Sequence, residues 1–412
     1  MGSLSPDALS ALDPETFAEE SNSVLEFLSG YYRDIDEYPV MAKLQPGSIR
    51  KLLPETAPES GVPMDRILDD VRRDILPGLT HWQSPQFFAY FPANASTAGF
   101  AGEMLSAGLN VVPFVWAASP VATELEQVVV DWMAALLGLP ERFQFRGGGG
   151  GVLHGSTCEA VVCTMAAARD RALRKLGHAA ILDLVVYASD QTHATFQKGA
   201  SIVGIPPANF RVLRTSPEAG YGLTAAAVRA AVEDDVARGL VPLYLCATVG
   251  TTGLGAIDRV RELGQLARRH GTNLDYKDYK DRQIALSRRF RAIKLWVVLR
   301  RYGAAGMRAH IRRHVWMARW FEKAVAADER FEVVVPRSFS LVCFRLRPTI
   351  VGGEVVEAPN RELLAAVNAS GRAFMTHFVV DGKFVIRLAV GGPMTQMRHV
   401  RDAWELLKDT AN

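Results

Sequence analysis

Short apolar segments alternate with helical ones between residues 85 and 272, and this alternation most restricts the folds open to the chain. Helices are predicted over 123–136, 159–175 and 224–237, and strands over 183–188, 210–213 and 242–247. Strands that are apolar throughout and separated by helices pair in parallel, with both faces of their sheet covered. The sequence therefore predicts an α/β domain built on a parallel sheet.

The N-terminal segment differs from this pattern. Residues 1–84 contain amphipathic helical stretches divided by prolines. Apolar side chains recur there at helical spacing and form a stripe that needs a partner: Phe17, Val24, Leu25, Phe27 and Leu28. We predict a separate helical segment that packs against another surface.

The C-terminal part changes character again after residue 282. A long basic helical region over 284–325 precedes predicted strands over 341–346 and 384–389 and a last helix over 397–407. The dipeptide Asp381-Gly382 between apolar pairs predicts a hairpin turn. The predicted parts are a helical segment (1–84), a large domain (85–274) and a small α+β domain (275–412).

Composition excludes several classes of function. The 412 residues carry a net charge of +3, with 49% hydrophobic and 22% charged residues, which is ordinary for a globular protein and does not suggest nucleic-acid binding. No apolar run reaches the about 18 residues that a membrane helix needs, and we expect no signal peptide because the first residues have no cationic stretch. Four cysteines without metal spacing indicate free buried thiols in a reducing compartment: Cys158, Cys163, Cys246 and Cys343. We expect a cytosolic protein with no metal site.

Three blocks carry residues suited to binding a phosphorylated ligand. A glycine run over 147–151 leads to Ser156, Thr157 and Cys158 at the start of a predicted helix, where backbone N–H groups stabilise an anion. His193 and Thr248 each follow a predicted parallel strand. Ligands bind at the carboxyl ends of such strands, so we expect both side chains in one site.

In this order the three blocks resemble the large domain of the pyridoxal-phosphate (PLP)-dependent aromatic L-amino-acid decarboxylases (group II), and most resemble the plant tyrosine and tryptophan decarboxylases. The resemblance implies the fold type I (aspartate aminotransferase-like) architecture and a homodimer in which the helical segment packs against the other subunit. It also implies that Ser156, Thr157 and Cys158 hold the phosphate. By the same resemblance, His193 stacks on the cofactor ring and helps to transfer a proton, and Thr248 contacts the cofactor.

The same resemblance predicts an aromatic amino acid as substrate. Its ring would lie against a wall of side chains: Trp82, Tyr90, Phe91, Pro92 and Phe114. In the plant members that the chain resembles, Ser at the position of Ser287 accompanies phenolic substrates and Gly accompanies indolic ones. Tyrosine or dopa is therefore favoured over tryptophan.

Two blocks that the family carries next are absent from this chain. The family presents an Asp for the pyridinium nitrogen and later the Lys that forms the Schiff base, but here Asn273 and Asp275 run directly into Lys277 and Lys280. The gap is on the order of eighty to ninety residues, roughly three βα units. Neither lysine at the junction is expected to replace the missing one, because catalytic geometry has narrow tolerances.

Three hypotheses follow from the gap. The chain is a decarboxylase by ancestry that binds PLP at most noncovalently and is inactive or severely impaired. Alternatively it is a noncatalytic partner that forms mixed dimers with an intact subunit, or the gap reflects the gene model or splicing and the natural protein is an ordinary decarboxylase. The gap should also leave the strand over 242–247 with an unpaired edge and make the fold marginal. The arginines around 288–294 are interpreted as a solvated helix face and not as an RNA-binding patch.

Overall fold

The computed structural model describes residues 12–92, 96–267, 283–351, 354–356 and 358–411. It separates into two compact units, one formed by Met1–Pro92, Leu346–Thr376 and Ile386–Asn412 and the other by Ala93–Arg345 and His377–Val385. The boundaries predicted at residues 84 and 274 stay predictions, and the second lies outside the described residues.

Along the described residues the helices alternate with strands in the middle of the chain. The helices are α1 (Pro14–Arg33), α2 (Ser48–Leu52), α3 (Met64–Asp70), α4 (Thr97–Leu109), α5 (Pro120–Leu136), α6 (Thr157–Leu176), α7 (Thr195–Ile202), α8 (Ala225–Ala237), α9 (Val260–Ala267), α10 (Arg291–Ala327), α11 (Ala358–Ala369) and α12 (Met397–Thr410). The strands are β1 (Leu184–Ser189), β2 (Phe210–Leu213), β3 (Val241–Leu245), β4 (Phe331–Ser338), β5 (Leu341–Leu346), β6 (Thr349–Val351), β7 (Glu354–Val356), β8 (Thr376–Val380) and β9 (Lys383–Ala389).

The predicted parallel sheet is confirmed, with β1 in the centre and β2 and β3 on either side of it. All six residues of β1 are buried. On one face Leu184 and Val186 pack with Met165 of α6 and Phe196 of α7. A second apolar cluster joins α8 and α9 to the ends of β2 and β3. Helices on both faces explain why β1 is buried throughout.

β3 is less covered than β1. Each of its five residues is only half-buried, and in the described part of the chain β1 is its one neighbour in the sheet. Pro242 lies within the strand, and proline is confined to strand starts and sheet edges because it has no N–H to donate. Among the described residues, β3 is therefore an edge strand, as predicted.

The helical region predicted over 284–325 begins later and is bent. α10 starts at Arg291, and its backbone leaves helical geometry at Gly303, where φ is 62° and ψ is 170°. A positive φ is accessible to glycine without steric cost, so the bend occurs there. The preceding residues, from 283 to 290, are not helical.

Four strands form a second sheet in the order β4-β5-β9-β8. The predicted hairpin turn connects β8 to β9, and Asp381 and Gly382 have φ values of 48° and 75°. Two successive positive φ values are typical of the type I′ turn that matches strand twist. The prediction from the dipeptide is confirmed.

The N-terminal helix α1 is amphipathic but contains no buried residue. Its apolar stripe remains accessible, with Phe17 54% and Leu25 38% exposed.

Among the described residues, none of the helices combines the length and the apolar character needed to cross a membrane. The four cysteines are free, and Cys343 is buried while the other three are half-buried.

Candidate cofactor and substrate site

The carboxyl edge of the parallel sheet gathers the three predicted blocks. β1 and β3 are parallel, so the segments that follow them, with His193 and Thr248, leave the sheet at the same edge. α6 runs opposite to the strands, and its second turn reaches the end of β3, where Thr164 Oγ1 lies 2.9 Å from Tyr244 Oη. The N-terminus of α6, with Ser156 as its cap, is therefore at that edge as well.

The start of α6 has the donors that an anion requires. Ser156 Oγ accepts the N–H of Glu159 over 3.2 Å and caps the helix. The first intrahelical bond is donated by Ala160, so the N–H groups of Thr157 and Cys158 precede it and have no acceptor within the helix. Ser156 and Thr157 are exposed, which leaves these groups accessible to a ligand. The residues present fit a phosphate.

One carboxylate already lies beside this helix start. Glu159 Oε2 accepts the Gly155 N–H over 2.8 Å, and His154 Nδ1 is 3.6 Å from Glu159 Oε1. Burial alone would raise the pKa of Glu159, but the Gly155 hydrogen bond, His154 and Arg291 together hold it below its ordinary value. Because Glu159 occupies the Gly155 donor, the N–H groups of Thr157 and Cys158 are the ones left for an anion.

His193 is held in one tautomer by its neighbour. The N–H of Thr195 donates to His193 Nδ1 over 3.1 Å, and Thr195 Oγ1 lies 2.7 Å from the same nitrogen. Since Nδ1 accepts a backbone N–H, the ring proton is on Nε2. The ring itself is exposed, so Nε2 is available to a bound group.

Thr248 is fixed by a residue that sequence reasoning missed. Asp258 is buried and accepts the N–H of Thr248 over 2.7 Å through Oδ2 and the N–H of Leu223 over 2.7 Å through Oδ1. Its two hydrogen bonds therefore hold the loop that follows β3 to the segment before α8. An isolated Asp beside Ile257, just before α9, was the one signal that could have identified it.

The aromatic residues of the predicted substrate wall form a cluster in the first unit. The Trp82 ring stacks on Phe87 and on Tyr90, with centroid distances of 4.7 and 5.4 Å. Phe91 packs on the backbone of Gly391, where an added Cβ would be 2.4 Å from the ring. The rings of Trp82, Tyr90 and Phe91 remain partly exposed.

The other predicted wall residues have different surroundings. Pro92, in the first unit, and Phe114, in the second, are half-buried, whereas Ser287, also in the second unit, is exposed. Lys277 and Lys280, the lysines of the junction, lie outside the described residues. These placements leave the assignment of a substrate pocket as a prediction.

The basic stretch over 288–294 is only in part the solvated face that the sequence suggested. Arg288 is buried and forms an ion pair with Glu126 of α5 over 2.7 Å. Arg289 and Lys294 both pair with Glu103 of α4, over 3.0 and 3.1 Å. The prediction was wrong for Arg288, because its partner is 162 residues away in sequence and no local pattern reveals it.

Comparison with known proteins gives consistent matches over almost the whole chain. The family described as "Pyridoxal-dependent decarboxylase conserved domain" matches residues 46–276 and 275–347. The chain is 46% identical to tyrosine decarboxylase 1 of Narcissus pseudonarcissus, over 98% of this chain and 94% of the relative. It is 45% identical to phenylacetaldehyde synthase of a Rosa hybrid cultivar, over 97% and 95%.

A solved structure agrees with these relatives. The structure of Catharanthus roseus tryptophan decarboxylase in complex with L-tryptophan superimposes with a TM-score of 0.93 at 40% identity, covering 98% of this chain and 99% of that one. The predicted fold class is confirmed by this agreement.

The matches also show an interruption. The family match consists of two stretches that meet at residues 275–276. The alignment with the Narcissus enzyme extends over 482 positions, whereas this chain has 412 residues, so at least 70 of those positions have no residue of this chain.

Proposed function

We propose, on the premise that this chain belongs to the family of pyridoxal-dependent decarboxylases, that it retains a noncovalent PLP site and an aromatic amino-acid site but lacks efficient decarboxylase activity. The proposal is supported by one combination of observations. The start of α6 with its accessible N–H groups, His193 and Thr248 lie at one sheet edge, while the family match is interrupted at residues 275–276.

The residues at this edge have separable roles. The N–H groups of Thr157 and Cys158 and the hydroxyl of Ser156 would hold the phosphate of PLP. His193, with its proton on Nε2, would stack on the ring and hold a proton near the reacting carbon. Thr248, fixed by Asp258, would contact the cofactor from the end of β3. When bound, PLP supplies an electron sink for the charge left after CO₂ departs.

The interruption removes the groups that would complete this chemistry. We infer that the missing positions include the lysine that anchors PLP covalently and the Asp that keeps the ring nitrogen protonated. The two-part family match and the length of the alignment support this inference. Without the lysine, the cofactor would not be anchored covalently and the product amine would not be displaced by transaldimination, so turnover should be slow or absent.

The expected ligand is a phenolic amino acid. Trp82 and Tyr90 offer exposed aromatic surface suited to a ring. Ser287 carries a hydroxyl that can hydrogen-bond a phenol and leaves less room than glycine for an indole. Tyrosine or dopa is therefore proposed over tryptophan. The Narcissus relative, a tyrosine decarboxylase, supports this choice.

A second candidate function is that of a noncatalytic partner. The apolar stripe of α1 has no buried residue in the described chain, as expected of a surface that another subunit covers. Such a chain would form homodimers or mixed dimers with an intact relative and reduce its activity by mass action. Co-expression with a full-length relative and co-purification test this candidate; two separate species would exclude it.

An absorption spectrum tests the main proposal. The purified chain is mixed with PLP, dialysed and treated with borohydride. At dialysis equilibrium against PLP, a higher PLP absorbance on the protein side that is lost in PLP-free buffer, with no PLP fixed to a peptide, is expected of a noncovalent site. A dialysis-resistant band with PLP fixed to a lysine would refute the absence of an anchoring lysine, and equal PLP absorbance on both sides at equilibrium would refute PLP binding. Sequencing the transcript across residues 272–281 shows independently whether the interruption arises from splicing or the gene model.

A further inference from the structure

A buried ion pair joins the segment that follows the junction to α5. Arg288 Nη2 donates to Glu126 Oε1 over 2.7 Å, and both side chains are fully shielded from solvent. Taking two charges out of water has a large desolvation cost, so a buried pair is a weak source of stability. The hydrogen bonds around the pair show which part of the chain it holds.

The pair holds the backbone of Leu153, two residues before Gly155. Glu126 Oε1 also accepts the N–H of Leu153 over 2.8 Å. The C=O of Leu153 accepts from Arg288 Nη2 over 3.3 Å and from Arg291 Nη1 over 3.1 Å. Charged side chains from two distant parts of the chain thus fix both backbone groups of this one residue.

Helix α5, which carries Glu126, also holds the N-terminal end of the glycine-rich loop. Asp131 of α5 accepts the N–H of Phe145 over 2.7 Å. The five glycines over 147–151 lie between this contact and Leu153, and they have no side chains to restrict their path. Two carboxylates of α5 therefore position the loop at its ends, and the end that leads into α6 depends on Glu126.

We infer that Glu126 and Arg288 are positioning residues for the phosphate end of the site. By fixing Leu153, the pair sets the course of the chain into Gly155 and Ser156 and hence the direction of the first N–H groups of α6. It also makes the placement of the phosphate site depend on the segment after the junction. The inference rests on the proposed function, because it assumes that this helix start receives the phosphate of PLP.

The test compares PLP with pyridoxal, which lacks the phosphate, on the full chain. In the double variant Glu126→Leu, Arg288→Met, apolar side chains replace the pair, an exchange that is often neutral for stability. We expect the dissociation constant of PLP to rise about tenfold, as for a lost charge-assisted hydrogen bond, and that of pyridoxal to stay unchanged. The control variant Asp131→Asn perturbs the far end of the loop and should leave the ratio of the two constants unchanged.

Amide hydrogen exchange measures how firmly the loop is held in the absence of any ligand. Exchange at Leu153 and Gly155 should be about tenfold faster in the double variant than in wild type or Asp131→Asn, since a restraint of that size is lost. If the double variant does not fold, Arg288→Lys, which keeps the charge but not the planar fork, should show the same two changes in smaller degree.

Three results would overturn the inference. A folded variant that keeps both the ratio of dissociation constants and the exchange rates shows that the pair positions nothing. Equal losses of affinity for PLP and pyridoxal show that the pair does not act on the phosphate end. A wild-type chain that binds PLP no more tightly than pyridoxal refutes the proposed phosphate site itself, and the inference with it.

Discussion

The buried carboxylate of Asp258 should be among the most sensitive positions of the second unit. Its two oxygens accept the N–H groups of Leu223 and Thr248, each over 2.7 Å. Hydrogen bonds to a charged group contribute about 1.5–3 kcal/mol each, so the loss of both in Asp258→Ala should cost about 3–6 kcal/mol. That is a large share of the roughly 5–15 kcal/mol that keeps a domain folded. Asp258→Asn keeps one acceptor oxygen and should cost about half as much.

Urea unfolding followed by circular dichroism measures this effect, and a shift of the midpoint by about 1 M or more is expected for Asp258→Ala. Asp190 provides the control, because it also accepts hydrogen bonds, two from Thr215 and one from Gln191, but is exposed. Water replaces those bonds, so Asp190→Ala should cost less than about 1 kcal/mol. Equal costs at the two positions would refute the reasoning from burial.

Three further outcomes are expected. The half-buried edge of β3 should give concentration-dependent light scattering before a broad thermal transition, and a sharp transition of a monodisperse sample would contradict it. Burial lowers the pKa of His81, His310 and His399, so the unfolded chain binds more protons than the folded one below about pH 6.5. The melting temperature should therefore be constant above that pH and fall as the pH decreases towards 5, and His81→Gln should flatten the dependence by up to about 1.4 kcal/mol per pH unit. Ser287→Gly should shift ligand preference from tyrosine towards tryptophan by about tenfold, measured by titration of the PLP-saturated chain, and an unchanged preference would remove Ser287 from the site.

Local sequence patterns were sufficient for the parallel sheet and for the order of the site blocks. β1 was predicted within one residue because an uninterrupted apolar run between helices has few alternatives to a central strand. The helix predicted from residue 159 was found as α6, which begins two residues earlier because Ser156 caps it at Thr157. The hairpin at Asp381-Gly382 followed from a dipeptide that tolerates positive φ.

Contacts between distant residues were beyond the reach of those patterns. Arg288 reads as one of several surface arginines, and only the folded chain brings Glu126 to it. Asp258 reads as an ordinary loop residue until Leu223 and Thr248 converge on it.

The sequence by itself determined the family, the parallel sheet and the interruption at the junction, because each depends on residues that are neighbours in the chain. The tertiary structure decided which charged side chains are buried, which ring nitrogen of His193 accepts a backbone N–H and which edge strand is half-buried. Those properties depend on the distance between groups that the chain order separates, and electrostatic and hydrogen-bond energies depend on that distance and on the exclusion of water.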